Sequence, residues 1–304
     1  MHRRRFLRHA AGVPVIGAVI AGVSNTVAQS PIKRIGGPRL KLSCNLFSFN
    51  ELLSNGKMTL PQVLEFCAQT GFDAVDPTAY YFPGYPKIPE NDYVFEIKRK
   101  AFLLGLDISG TGVRNDFTDP DDARVKADIE LVKQWIECAA RLGAPVLRVF
   151  AGKEMPSGYH REQALTQLVT ALKECTEYGA RFGVMLAVQN HADFIQNADQ
   201  VIEILRLVNS QWLGVHLDIG SFHTADPYED IARCAAYAVN WQIKEEVNVS
   251  GQVQKTDLKK LVKIWRQCGY RGYLPLETLG EGDPRNKLPR FLEEVQRALE
   301  GRPV

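Results

Sequence analysis

Short apolar, β-branched runs alternate with longer amphipathic stretches from Leu40 onward, and the alternation repeats eight times before the chain ends. The apolar runs predict strands at Leu40 to Phe49, Phe72 to Tyr80, Leu106 to Val113, Pro145 to Phe150, Val184 to His191, Leu213 to Ile219, Ala238 to Val247 and Gly272 to Leu279. The stretches between them carry hydrophobic residues at the three- and four-residue steps of a helix. Asp121 to Leu142 is the clearest, with Val125, Ile129, Val132, Ile136 and Ala140 on one face. Several helical stretches stop at a glycine that opens the next strand, as in QTGFDAV, RLGAPVL, RFGVMLAV and QCGYRGYLPL. Glycine tolerates the left-handed conformation that ends a helix.

Strand-helix units in series build parallel sheets. Eight of them in one uninterrupted run, without a glycine-rich dinucleotide fingerprint after the first strand, predict an α/β fold that is a closed (β/α)8 TIM barrel. The length of 304 residues would suggest two domains by ordinary domain size. Barrels occupy about 250 residues as one domain, so a single domain over residues 40–300 is expected.

The first residues follow a different pattern. Arg3, Arg4 and Arg5 lead into Phe6 and Leu7, then an apolar, glycine-rich run from Ala10 to Val23, then the small residues of Thr26-Val27-Ala28. That is an export signal of the twin-arginine type over residues 1–28, with cleavage after Ala28 and residues 29–39 as a linker. About 14 apolar residues fall short of the roughly 20 that cross a bilayer, so no stable membrane anchor is expected. The mature chain should be periplasmic or otherwise extracytoplasmic.

Composition adds little to this picture, at 45% hydrophobic and 24% charged. Removing the signal's four arginines, Arg3, Arg4, Arg5 and Arg8, takes the net charge from +2 to −2. No basic stripe stands out, which excludes nucleic acid as a partner. The six cysteines are widely spaced with no CxxC pair and read as core thiols. A homo-oligomer is left open.

Catalytic groups of such barrels sit at the C-terminal ends of strands. The last four predicted strands end in unusually polar segments: AVQNHADF, VHLDIGSFH, NWQIKEEV and LPLETLGEGD. Side chains alternate along a strand, so Gln189 shares a face with His191, His216 with Asp218, and Gln242 with Lys244 and Glu246. A carboxylate such as Asp218 or Glu277 in an apolar strand must be paired, hydrogen-bonded or metal-bound to offset its desolvation. The barrel mouth offers all three. Each group alone could simply salt-bridge the barrel top; four successive polar strand ends point to a site.

The order of these strand ends resembles the xylose-isomerase-like barrels, which include sugar isomerases, sugar-phosphate isomerase/epimerases, ketose epimerases and related endonucleases. The resemblance covers essentially the whole mature chain. It implies a divalent metal held from strands five to eight by Glu, Asp, His and Glu, positions that fall on Gln189, Asp218, Gln242 and Glu277 here. Two of the four depart, Gln189 standing for the Glu and Gln242 for the His of the usual H-x-K-D segment. Two carboxylates and two amide oxygens would suit Mn2+ or Mg2+ better than zinc. His191, His216 and His223 are alternative ligands, His191 the best placed.

The resemblance further implies a carbohydrate substrate and proton abstraction beside a carbonyl. Ketose epimerases of this kind use two glutamates, and Gln189 cannot act as a base. A one-base isomerase or lyase is therefore expected, with Glu277 as base and Lys244 or His191 as proton donor or electrostatic stabiliser. Arg114, Arg148, Tyr80, His216 and Glu246 are the expected substrate contacts. Rings of the YYFPGYP loop could stack on sugar or pack on each other. A two-base epimerase and a catalytically silent sugar binder are the alternatives, and a nuclease would need more histidine ligands than the chain supplies. The export reading predicts that intact-mass analysis of the secreted protein finds a chain beginning at Gln29; an extracytoplasmic species retaining Met1 would refute it.

Overall fold

The computed structural model describes residues 30–153, 158–191 and 194–303. The expected export signal and its cleavage point lie outside the described residues. Eight parallel strands form the inner ring: β1 (Arg39–Asn45), β2 (Ala74–Asp76), β3 (Asp107–Ile108 and Thr111–Gly112), β4 (Val146–Phe150), β5 (Met185–Gln189), β6 (Leu213–Asp218), β7 (Ala238–Lys244) and β8 (Arg271–Glu277). Neighbours run in the order β3–β2–β1–β8–β7–β6–β5–β4. The ring closes through β3, whose first half pairs with β2 and second half with β4. The break falls at Ser109 and Gly110, where a Cβ on Gly110 would lie 2.9 Å from Asn240 Nδ2 and 3.0 Å from Asp76 Oδ2. A polar pair in the lumen thus requires glycine at the bend.

Among the described residues, besides the short helix Asn50–Ser54, eight helices surround the ring: α1 (Leu60–Thr70), α2 (Asn91–Leu103), α3 (Asp122–Leu142), α4 (Arg161–Phe182), α5 (Ala198–Val208), α6 (Pro227–Ala235), α7 (Leu258–Gln267) and α8 (Pro284–Leu299). The side chain of Asp121 accepts from the Ala123 N–H, so Asp121 caps α3 rather than belonging to it. Val125, Ile129, Val132 and Ile136 are buried as their spacing predicts, while Ala140 is half-buried and Trp135, Cys138 and Ala139 complete the inner face. Gly71, Gly143 and Gly183 end α1, α3 and α4 with φ of 94°, 86° and 69°.

Most strands are shorter than their apolar runs. Pro77 cannot donate a ladder hydrogen bond, and β2 stops at Asp76, before it. The Asn45 side chain accepts from Phe47 N–H and turns the end of the first run into a 3-10 helix, Leu46–Phe49. The seventh run divides: β7 stops at Lys244, and Glu246–Val249 pairs antiparallel with Gln252–Lys255 as a hairpin. Near the other end of the barrel, Arg34 Nη2 donates to Ala238 O at 2.6 Å and Arg271 Nη1 to Gly37 O at 2.8 Å. Part of the expected linker is therefore fastened beside the N-terminal ends of β7 and β8.

All six cysteines are free, five buried and Cys268 half-buried. Among the described residues no helix is long and apolar enough to cross a membrane.

Gly179, inside α4, shows how tightly the layers pack: a Cβ there would meet Val184 O at 2.6 Å. Helix propensity alone favours alanine over glycine by about 1 kcal/mol. Because the obstacle is backbone, Gly179→Ala should instead destabilise the fold by about 1–3 kcal/mol, read as a lowered urea midpoint. A raised midpoint would mean that α4 can move away from the strand it packs on.

Candidate active site at the barrel mouth

Strands β5 to β8 deliver their last residues to one place because parallel register sets their heights: Gln189 lies opposite His216, Asp218 opposite Gln242, and Lys244 opposite Glu277. A register shift at Val215 and His216 brings β6 into step with β7. The side chains form one continuous hydrogen-bonded chain. Gln189 Nε2 donates to Asp218 Oδ2 at 2.8 Å, and Lys244 Nζ donates to the same oxygen at 2.8 Å. Gln242 Nε2 donates to Glu277 Oε2 at 2.6 Å, and its Oε1 lies 3.1 Å from His216 Nε2. Lys244 Nζ lies 3.7 Å from Glu277 Oε2.

Asp218 has no exposed surface, and each of its oxygens is engaged, Oδ1 by the Gly220 N–H at 3.0 Å. Burial acts to raise its pKa, but the Lys244 charge and the surrounding donors outweigh that and hold it below the usual carboxylate range. Burial pushes Glu277 the other way, up to about 7, against the opposing pull of Lys244. Burial also acts against the charge on Lys244, yet Asp218 and Glu277 more than compensate and its pKa is raised. Burial and the charge of Arg148 lower His216 to about 3, so it is neutral. Its Nε2 then carries the proton given to Gln242, while Nδ1 has no partner among the described residues.

Other expected site residues occupy a second sector. Arg148 donates through Nη2 to the Tyr80 hydroxyl at 2.9 Å and lies 4.2 Å from the Phe150 ring centroid. Gly112 leaves room for that guanidinium, which a Cβ would meet at 2.8 Å. Arg114 is exposed and stacks over Tyr80 at 4.7 Å. His191 sets its ring edge against Phe150, with centroids 5.2 Å apart. Glu246 is exposed on the hairpin. The YYFPGYP rings pack largely on each other and on Trp135, which lies 5.6 Å from Phe82 and 5.8 Å from Tyr85.

Lys244, Glu277, Glu246, His223, Arg290 and Phe291 line a cavity of about 960 Å3 that reaches the mouth between the hairpin and α8. Lys244 and Glu277 thus border this cavity, while Asp218 does not line it and has no exposed surface.

Sequence reasoning overlooked Asp76, its partner Asn240, and Asn190. Asp76, at the end of β2, is buried and accepts from Asn240 Nδ2 at 2.9 Å. Its signal was an acid closing an apolar strand before a proline, the same cue that marked Asp218. Asn190 exchanges both amide hydrogen bonds with the backbone of Asp218, at 2.8 and 2.7 Å. Its side chain imitates a peptide group and continues the ladder past the end of β5; nothing in the sequence distinguishes it from a loop asparagine.

The donor set does not fit the divalent metal that the resemblance implies. The amide nitrogens of Gln189 and Gln242, not their oxygens, face Asp218 and Glu277, and an N–H repels a cation. Lys244 holds the place between the two carboxylates. No group of three His, Cys, Asp or Glu among the described residues is arranged to hold an ion.

A closed parallel barrel with its ionisable groups at the C-terminal mouth defines a broad class of proteins. Within it, the chain belongs to the xylose isomerase-like TIM barrel family, whose sequence model matches residues 64–298. The fold is similar to that of D-psicose 3-epimerase with D-tagatose from Clostridium cellulolyticum H10, at 14% identity and TM-score 0.71 over 85% of this chain and 99% of that one. It is also similar to 3-keto-D-glucoside 4-epimerase from E. coli, at 12% identity and TM-score 0.69 over 85% and 99%. A third similar structure is the IOLI protein with a bound zinc atom, at 18% identity and TM-score 0.68 over 86% and 98%. No curated protein matches the sequence.

Burial pushes Asp76 from the ordinary 3.8 to about 6, against the pull of Arg148 and Asn240. The native state thus keeps a proton that the unfolded chain releases at lower pH, and stability from this group is lost as pH rises from about 4 to 6. Asparagine keeps the acceptor for Asn240 without titrating. Relative to wild type, Asp76→Asn should gain up to roughly 3 kcal/mol between pH 4 and 7, measured by urea unfolding. A difference that does not vary with pH would show that Asp76 is ionised throughout.

Proposed function

We propose that this protein is an enzyme that isomerises or epimerises a small carbohydrate by moving a proton at a carbon beside a carbonyl. The observation that carries this reading is the pair Glu277 and Lys244, 3.7 Å apart and both lining the large cavity. A carboxylate base beside an ammonium group is what enolisation requires: one takes the carbon-bound proton, the other stabilises the oxygen that gains charge. Family membership and the sugar epimerases of similar fold support the substrate class. Arg148, Tyr80 and Arg114 on the opposite sector are hydroxyl and ring-face contacts suited to orienting a sugar.

Gln189 stands where a second base would be needed, and an amide takes no proton at neutral pH. We therefore assign a one-base reaction, in which Glu277 removes a proton from one carbon and returns it to the neighbouring one, which favours isomerisation over epimerisation. The Lys244-Gln242-His216 set holds Glu277 in place and keeps its carboxylate aimed into the cavity. The enzyme works outside the cytoplasm, where free or oxidised sugars are more accessible substrates than phosphorylated ones.

Incubating the mature protein in D2O with ketohexoses, aldoses and 3-keto-glycosides and following C–H signals by NMR tests this. Deuterium should enter one carbon beside the carbonyl, and Glu277→Gln should slow that exchange about 10^3-fold with the fold unchanged by circular dichroism. Exchange at the wild-type rate in Glu277→Gln would remove Glu277 from the role of base. The products separate isomers and epimers from the shortened or dehydrated sugars of an elimination.

A further inference from the structure

We infer that the Lys244 ammonium stands in for the divalent cation at this barrel mouth, so that the site works without metal. The inference rests on the site assigned above, but not on which sugar is turned over. Its first support is the direction of the hydrogen bonds. Gln242 Oε1 accepts from His216 Nε2 at 3.1 Å and from Gln189 Nε2 at 3.3 Å, which leaves Gln242 Nε2 to face Glu277. The amide is locked at both ends. Turning its oxygen toward a cation would abandon Glu277, set an N–H against the N–H of His216, and require the histidine to change tautomer.

The second support is the space made for the lysine. A Cβ on Gly220 would lie 2.7 Å from Lys244 Cδ, so the stem of the lysine crosses the backbone of the β6 loop through a gap that only glycine leaves. The Gly220 N–H meanwhile donates to Asp218 Oδ1 at 3.0 Å. One loop position both admits the cation and fastens its counterion.

The third is the ammonium group's capacity. It has three N–H donors. One is spent on Asp218 Oδ2 at 2.8 Å and a second leans toward Glu277 at 3.7 Å, which leaves a donor for an oxygen entering the cavity that Lys244 lines. In the enolisation step, a Glu277 oxygen forms a bond to hydrogen as the C–H bond breaks. The electron pair moves through the new C=C bond onto the carbonyl oxygen, which accepts a hydrogen bond from Lys244. The neighbouring hydroxyl proton then passes to that oxygen while Glu277 returns its own proton to the former carbonyl carbon, which gives the isomer, restores every protein group and consumes no co-reactant.

The test combines a metal-binding readout with chemical rescue, on the mature protein. Titration with Mn2+ followed by electron paramagnetic resonance should leave the free-ion signal undiminished by stoichiometric wild-type protein, and chelator should leave deuterium exchange unchanged. Lys244→Ala should fold, lose exchange about 10^3-fold, and recover part of it with methylammonium but none with tetramethylammonium, which has no N–H to donate. One Mn2+ bound per wild-type chain, released in Asp218→Ala, would overturn the inference whether or not any sugar is turned over. Rescue by both amines alike would also overturn it, because charge without an N–H would then suffice. Gly220→Ala, which displaces the lysine without changing any charge, should reduce exchange while Tm stays within a few degrees. Unchanged exchange in that variant would show that the position of the ammonium group does not matter.

Discussion

A carboxylate without solvent needs a cation, and the pairing of Asp218 with Lys244 is the interaction from which the rest of this barrel mouth follows. Asp218 is sealed on all sides, so leaving it unpaired would cost several kcal/mol. Its partner comes from the next strand, which fixes the register of β6 against β7 at their C-terminal ends. With Lys244 bound there, Gln189 and Gln242 turn their amide nitrogens inward as further donors, and the carbonyl end of Gln242 sets the tautomer of a neutral histidine. Glu277 receives the least compensation of the group, and burial keeps its proton affinity high.

Glycines and asparagines make the arrangement geometrically possible. Gly110, Gly112 and Gly220 each lie where a polar side chain crosses the backbone: the Asp76–Asn240 pair, Arg148 and Lys244 respectively. Asn190 and Asn115 carry the ladder beyond the ends of β5 and β3, Asn115 by exchanging hydrogen bonds with both backbone groups of Phe150. The strands can then diverge at the mouth without leaving backbone groups unpaired. Rigid apolar packing below and side-chain ladders above hold the ionisable groups in fixed positions, as electrostatic catalysis demands.

Measured against the carboxylate and imidazole that the resemblance of the strand ends implies, Gln189 and Gln242 change the chemistry of the site more than its shape. A carboxylate and an imidazole offer lone pairs to a metal; a carboxamide of similar size can offer an N–H instead. At these strand positions Gln189 and Gln242 present N–H donors to Asp218 and Glu277. Such a change leaves the fold indifferent, because both kinds of side chain fill the same volume and both find partners.

The sequence by itself determined the barrel, since eight apolar runs, amphipathic helices and glycine stops each encode local geometry that admits one closed arrangement. It also located Gln189, Asp218, Gln242, Lys244 and Glu277 at strand ends, because a charge in an apolar run must face a mouth or a partner. It overextended the strands, because apolar character continues into the 3-10 turn after Asn45, while Pro77 and the hairpin after Lys244 stop the ladder sooner. Only the tertiary structure decided which way the two glutamine amides point, that Lys244 fills the place between the carboxylates, and that Asp76 joins the lumen through Asn240. Those outcomes depend on distances between residues up to 164 positions apart in the chain, and composition and periodicity carry no information about which donor meets which acceptor across a barrel.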